Sequence, residues 1–298
     1  MAKRMLLFLA TNLLVILTIS VVLRVLGIQP FLTREGIDYG SLAAFCLVWG
    51  MGGALISLAL SRVVAKTAMG VQVVDPAASD PAAQQLLQTV GHLTRSAGIP
   101  MPQVGIYQSD DVNAFATGPT RNRALVAVST GLLRKLDSAE VEGVLGHEIT
   151  HIANGDMVTM TLLQGVVNAF VMFLARVLAF ALAQAMRRDD SEGISFGLYF
   201  VVQIALELVF MVLGSLVVMA FSRHREFRAD AGGAHLAGRE KMVSALEALR
   251  RDVESLDPRA QPAVAAMKIS SRDGRFGRLW ASHPPLEERI ARLRAGAL

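Results

Sequence analysis

The chain is 298 residues long, and 53% of it is apolar while only 18% is charged, against roughly 45–50% and 25% in soluble globular proteins. With a mean hydropathy of +0.45, part of that length has to lie in a bilayer, which excludes an all-soluble chain. The net charge of +4 does not point to nucleic acid, because the excess sits in the tail: 15 Lys and Arg against 10 Asp and Glu from Ser222 onward, but 7 against 9 from Arg62 to Asp156.

Two uncharged stretches open the chain, Met5 to Leu23 with 19 residues and Tyr39 to Ser61 with 23. Each is near the roughly 20 residues a helix needs to cross about 30 Å of hydrocarbon. The first follows Lys3 and Arg4 but is too long for a signal-peptide core, and no clear small-residue cleavage site follows, so a retained anchor is expected. The single cysteine, Cys46, lies in the second stretch and has no partner in the chain. A disulfide framework is therefore excluded, and the soluble parts are expected in a reducing compartment.

From Arg62 to Asp156 the pattern is mixed. Asp80 to Ser96 has helical spacing, Gln103 to Tyr107 and Ala124 to Ser129 are short apolar runs of strand type, and Thr130 to Leu136 reads as a helical turn. Asp137 with Glu140 forms a capping box that opens a helix carrying Val141, Val144, Leu145 and Ile149 on its apolar side.

Two longer apolar runs follow, Met157 to Met186, interrupted by Arg176, and Gly193 to Ser222, interrupted by Glu207, joined by the polar link 187–192. At 30 residues each, about 45 Å of helix, they exceed the bilayer core and form a hairpin that tilts or projects. Lys3, Arg4, Arg62, Lys66, Arg223, Arg225 and Arg228 fall on one side of the membrane and Arg34, Arg187 and Arg188 on the other. This places both termini and the soluble parts in the cytoplasm. In antiparallel helices linked at 187–192, Arg176 and Glu207 come to similar depth, where an ion pair is the simplest reading. Beyond the hairpin, Arg223 to Ala237, Glu240 to Ser255 and Pro285 to Arg294 read as helices, with a linker containing Pro and Arg before the last. The organisation is thus a pair of spans (1–61), a soluble part with a small β-sheet (62–156), a membrane hairpin (157–222) and a polar helical part (223–298): a mostly helical α+β membrane protein with four predicted spans. No repeat and no glycine-rich phosphate loop is present.

His147, Glu148, Ile149, Thr150 and His151 spell H-E-x-x-H on the predicted helix. The i, i+4 spacing sets both imidazoles on one face, able to share a zinc ion, with a glutamate beside the first. A catalytic zinc takes three protein ligands, and Glu226 is the best third candidate, with His224 and His235 as competitors. Glu226 lies just past the end of the hairpin and the two histidines just before its start, so the fold-back turns a separation of 75 residues into proximity. Asp230, one turn beyond Glu226, can accept a hydrogen bond from a ligating histidine.

HEITH, SRHREFRAD (222–230) and the late SHPP (282–285) together resemble the HtpX-type membrane zinc metalloproteases, kin of the prenyl-peptide endoproteases. The resemblance covers nearly the whole chain. It implies a zincin-like protease domain at the cytoplasmic face of a bacterial inner membrane, one Zn2+ per chain, and endoproteolysis of damaged or misfolded membrane proteins in quality control and the stress response. By it, His147, His151 and Glu226 are zinc ligands, Glu148 the general base and Asp230 the partner of His147. Asn113, Ala114 and Phe115 resemble the edge-strand segment that holds a substrate backbone, and His283 the donor that stabilises the oxyanion. His92 matches nothing and reads as a helix surface residue.

Other classes of reading are narrower. A transporter needs polar ligands at membrane depth, where only Arg176 and Glu207 fall, and a zinc scaffold leaves Glu148 without a role. A protease of narrow substrate range is the nearer alternative; four spans are too few for the enclosed chamber of the prenyl-peptide enzymes. The expected partners are protein substrates and the bilayer.

Overall fold

The computed structural model describes residues 2–28, 31–33, 36–77, 79–186, 196–255 and 282–296. The link 187–192, the linker before the last helix, and Arg34, Arg187 and Arg188, on which part of the topology reading rests, lie outside the described residues.

The chain forms two units. The first comprises 1–57 and 160–218. It holds α1 (Ala2–Val25), a two-stranded turn of β1 (Leu32–Thr33) and β2 (Gly36–Ile37), and the apolar lengths of α2 (Tyr39–Ala68), α6 (Asp156–Ala185) and α7 (Phe196–Ala237). Where four spans are expected, α2, α6 and α7 are long and apolar enough to cross a membrane over the described residues, and α1 adds the shorter apolar stretch Leu13–Val25. Phe170, Val201, Leu208, Met211 and Val217 face outward on α6 and α7, as helices do when lipid rather than water covers them. Arg176 and Glu207 meet: Nη1 of Arg176 donates to Oε1 of Glu207 at 2.5 Å and to the Met172 carbonyl at 3.0 Å.

The second unit comprises 58–159 and 219–298. Its sheet runs in the order β3–β4–β6–β5, where β3 is Gln72–Val73, β4 Gln103–Tyr107, β5 Ala114–Thr117 and β6 Leu125–Ser129. β4 and β6 are parallel, with Val104 opposite Val126, and β5 lies antiparallel to β6, with Ala114 opposite Val128. All five residues of β6 are buried. Both faces of that strand are covered, hence its continuous apolar sequence in place of alternation. Val104, Val126 and Val128 face α3 (Pro81–Ser96) and α5 (Ser138–Asn154) through Leu86, Val90, Leu93, Leu145, Ile149 and Ile152. Leu125, Ala127, Tyr107 and Phe115 pack on the other face.

Local sequence fixes the helix ends. The Asp80 carboxylate accepts from the amides of Ala82 and Ala83 at the start of α3, with Pro81 in the first turn. The short α4 (Thr130–Lys135) is capped by Ser129, and α5 opens with the Asp137–Glu140 capping box. α5 stops at Gly155, whose φ of 71° continues the chain in the left-handed region that glycine adopts at little cost.

The end of α7, α8 (Arg239–Ser255) and α9 (Leu286–Arg294) complete this unit, with Ala234, Met242, Leu246, Ile290 and Leu293 at their common core. The apolar run ending at Ser222 and the polar helix from Arg223, read from sequence as two elements, are one helix of 42 residues. The change in composition there carries no Pro to interrupt the backbone ladder. A side chain at Gly233 would put its Cβ 3.0 Å from the His147 amide nitrogen and 2.9 Å from Met242 Sδ. The absence of one is what lets α7 run against the backbone of α5.

Candidate metal centre

His147 and His151 follow one another by a turn on α5 and are both buried. Their Nε2 atoms point at a common position and lie 3.1 Å apart. Glu226, fully buried on α7, brings Oε2 to 3.4 Å from His147 Nε2 and Oε1 to 3.4 Å from His151 Nε2. These three are the residues that the fold gathers, with ligand atoms all within 4.8 Å of one another.

The outer nitrogens of both rings are engaged. His147 Nδ1 lies 3.0 Å from Asp230 Oδ1 and His151 Nδ1 lies 2.6 Å from Asp156 Oδ2. A carboxylate only accepts, so His151 Nδ1 carries the hydrogen and donates it to Asp156, while His147 Nδ1 faces both the Asp230 carboxylate and Arg289 Nη2, 3.4 Å away. In the neutral rings Nε2 then offers a lone pair toward the shared position, and two such nitrogens at this separation, flanked by a carboxylate, suit a cation between them. Zinc bonds of about 2.0–2.2 Å in tetrahedral array set donor atoms roughly 3.3–3.6 Å apart. The observed 3.1–3.4 Å is close to that spacing, so the residues fit a tetrahedral metal.

The electrostatics agree. Burial works against ionisation of Glu226, but hydrogen bonds from His147, His151 and His283 overcome it and hold the carboxyl far below the usual range. Asp230 is likewise opposed by burial and lowered by Arg289 and His147. For His151 burial disfavours charge, yet Asp156 and Glu226 outweigh it and push the ring up to about 9. The cluster attracts positive charge, as a metal site should.

Glu148 follows the first histidine and is only partly buried, so it is open to water where its neighbours are not. His283 reaches the cluster from the tail, its Nδ1 2.8 Å from Glu226 Oε2 and its side chain 57% exposed. The segment Asn113–Phe115 lies at the start of β5, which packs on α5 and is the sheet's edge among the described residues. The amide of Ser129 donates to the Asn113 carbonyl at 2.9 Å, and Phe115 is opposite Ala127. By the alternation of an antiparallel ladder, Ala114 and Ala116 then turn their N–H and C=O to the open edge. His224, His235 and His92 are exposed, the first two away from the cluster that they compete for on sequence grounds.

Three contacts were not anticipated from the sequence. Asp156 supplies the partner of His151. Arg289 on α9, 6% exposed, donates from Nε to Asp230 Oδ2 at 2.7 Å and from Nη2 to Oδ1 at 2.6 Å. Arg225 donates from Nη2 to Glu226 Oε1 at 3.1 Å. The one available signal for Asp156 is a carboxylate placed directly after the glycine that ends the helix of the two histidines. Arg289 has none, since its helix reads as an ordinary charged surface.

Comparison with known proteins gives a consistent relationship. The model of peptidase family M48 matches residues 81–297. A protease HtpX homologue of Bacillus subtilis is 50% identical over 303 residues, covering 99% of this chain and 100% of its own. One from Thiobacillus denitrificans is 50% identical over 296 residues, covering 98% and 99%. The crystal structure of Ste24p from S. mikatae superposes with a TM-score of 0.63 at 16% identity, over 98% of this chain and 66% of that longer one, just under two thirds of its length. At that identity the likeness is one of fold.

Proposed function

The chain belongs to peptidase family M48, and from that premise we propose that it is a zinc-dependent endopeptidase of the bacterial inner membrane, cleaving misfolded or damaged membrane proteins at the cytoplasmic face. It is a membrane-bound protease of metal-dependent type. The observation that carries the finer reading is the convergence of two Nε2 lone pairs and the Glu226 carboxylate, with both histidines backed by carboxylates.

His147, His151 and Glu226 would hold the ion, and bound zinc supplies Lewis acidity that polarises a carbonyl and lowers the pKa of water. Glu148 takes the proton of the attacking water and returns it to the leaving amine. His283 meets the negative charge that develops on the scissile carbonyl oxygen. Its Nδ1 lies 2.8 Å from Glu226 Oε2, which leaves Nε2 as the nitrogen for this role. Asp230 orients His147, and Arg289 in turn fixes Asp230. The open edge at Ala114 and Ala116 receives an extended substrate backbone, a mode of binding with little demand on side-chain identity. That tolerance, together with apolar helices continuous with the site's own, supports unfolded segments of membrane proteins as substrates.

The test is zinc content and casein cleavage by the full chain in detergent, beside Glu148→Gln. The parent should hold about one zinc and cleave, and the variant should hold zinc and lose about 10²–10⁴-fold in rate. Zinc in both and cleavage by neither would remove the broad-specificity reading.

A further inference from the structure

We propose that Asp156 is the positioning residue of the second metal ligand: its carboxylate fixes His151 as the Nδ1–H tautomer and aims Nε2 into the cluster. This rests on the reading of His147, His151 and Glu226 as a metal site. The bond is 2.6 Å, between a histidine side chain 10% exposed and a carboxylate 7% exposed.

The pairing is built by the backbone. Had α5 continued, residue 156 would lie about 140° around the helix from residue 151, on another face. Gly155 at φ 71° breaks that course. Asp156 thereby comes back alongside His151, as the first residue of α6. The unsatisfied amides of a helix start favour a carboxylate there.

Asp156 and Asp230 are not equivalent. Asp230 shares its charge with Arg289 through two hydrogen bonds. Asp156 has no Lys or Arg within 4.0 Å among the described residues; its ion-pair partner is His151. Its negative charge therefore acts on one imidazole, raising that ring's donor strength toward a metal as well as holding its orientation. A ring without this partner is free to turn or to change tautomer, and either removes Nε2 from the ligand set.

The experiment compares the parent, Asp156→Ala and Asp156→Asn as full-length protein in detergent. Zinc affinity is read by competition with a chromophoric chelator, and the absorption bands of the Co2+-loaded forms report ligand geometry. Asp156→Ala should weaken zinc binding about 10–100-fold and alter the Co2+ bands. Asp156→Asn keeps an acceptor of the same shape and should lose less. Equal affinity and unchanged bands in both variants overturn the assignment. Should Asp156→Ala not fold, Asp156→Asn decides alone, parental affinity again overturning it. A parent that binds neither metal overturns the reading of the cluster and this inference with it, an outcome distinct because the unaltered chain itself fails.

Discussion

Arg289 on the last helix grips Asp230 on α7 with two parallel hydrogen bonds, of 2.6 and 2.7 Å, across 59 residues of sequence. The pair is buried, and Asp230 in turn holds His147. The last helix is thereby tied to the His147, His151 and Glu226 cluster.

Removing one member of such a pair leaves the other charged and dry. Arg289→Met should cost about 3–5 kcal/mol of stability, measured as denaturant or thermal unfolding of the metal-free chain in detergent. Arg289→Lys should recover only part, because an ammonium cannot make the two-pronged bond. Combining Arg289→Met with Asp230→Asn should cost less than Arg289→Met alone; if it costs more, the two residues do not act as a pair.

The gathering of His147, His151 and Glu226 is legible in the sequence because its geometry is local or topological. His147 and His151 share a face by helical spacing, and Glu226 follows from the fold-back of the hairpin. What surrounds those residues is not. Asp156 reads as the last polar residue before a membrane run, and only the left-handed turn at Gly155 gives it another role. Arg289 sits in LEERIARLR among charges that elsewhere on α9 pair at the surface, such as Glu288 with Arg292, and its burial depends on where α8 and α9 pack. The continuity of α7 is not legible because a shift from apolar to polar residues at Arg223 changes the surroundings of a helix without breaking it.

The edge of the sheet offers a substitution that separates substrate binding from folding. Ala116 turns its N–H to the open side of β5, whereas Phe115 pairs with β6. Ala116→Pro deletes a donor that the sheet itself does not use. It should leave zinc content and melting close to the parent and raise KM for an unfolded substrate about tenfold or more. Phe115→Pro removes a ladder bond and should lower stability instead. Unchanged KM in Ala116→Pro would exclude this edge as the substrate strand.

Zinc binding should depend on pH through His151. In the metal-free cluster Asp156 and Glu226 outweigh burial and raise its pKa to about 9, from 6.5. Zinc displaces that proton, so below about pH 9 the apparent affinity should rise roughly tenfold per pH unit. The same shift acts on the metal-free fold with opposite sign. A pKa raised on folding stabilises fully below about 6.5, and the contribution is lost as pH rises through about 9. The melting difference between zinc-loaded and chelator-treated protein should therefore widen between those limits, and a constant difference would count against protonation of His151 in the free cluster.

His283 has two possible tasks that kinetics can tell apart. Its Nδ1 lies 2.8 Å from Glu226 Oε2, yet its side chain is 57% exposed and Nε2 remains for a substrate oxygen. A residue that only steadied Glu226 would show its loss in zinc affinity, with turnover restored at saturating metal. A donor to the developing oxyanion shows it in kcat, because that bond forms as charge accumulates in the transition state. His283→Ala, assayed with zinc in excess, should lose about 10²–10³-fold in kcat with KM little changed, while its zinc affinity falls by less than that of Asp156→Ala. Full recovery of kcat on adding zinc would confine His283 to the support of Glu226 and leave the oxyanion to the metal ion alone.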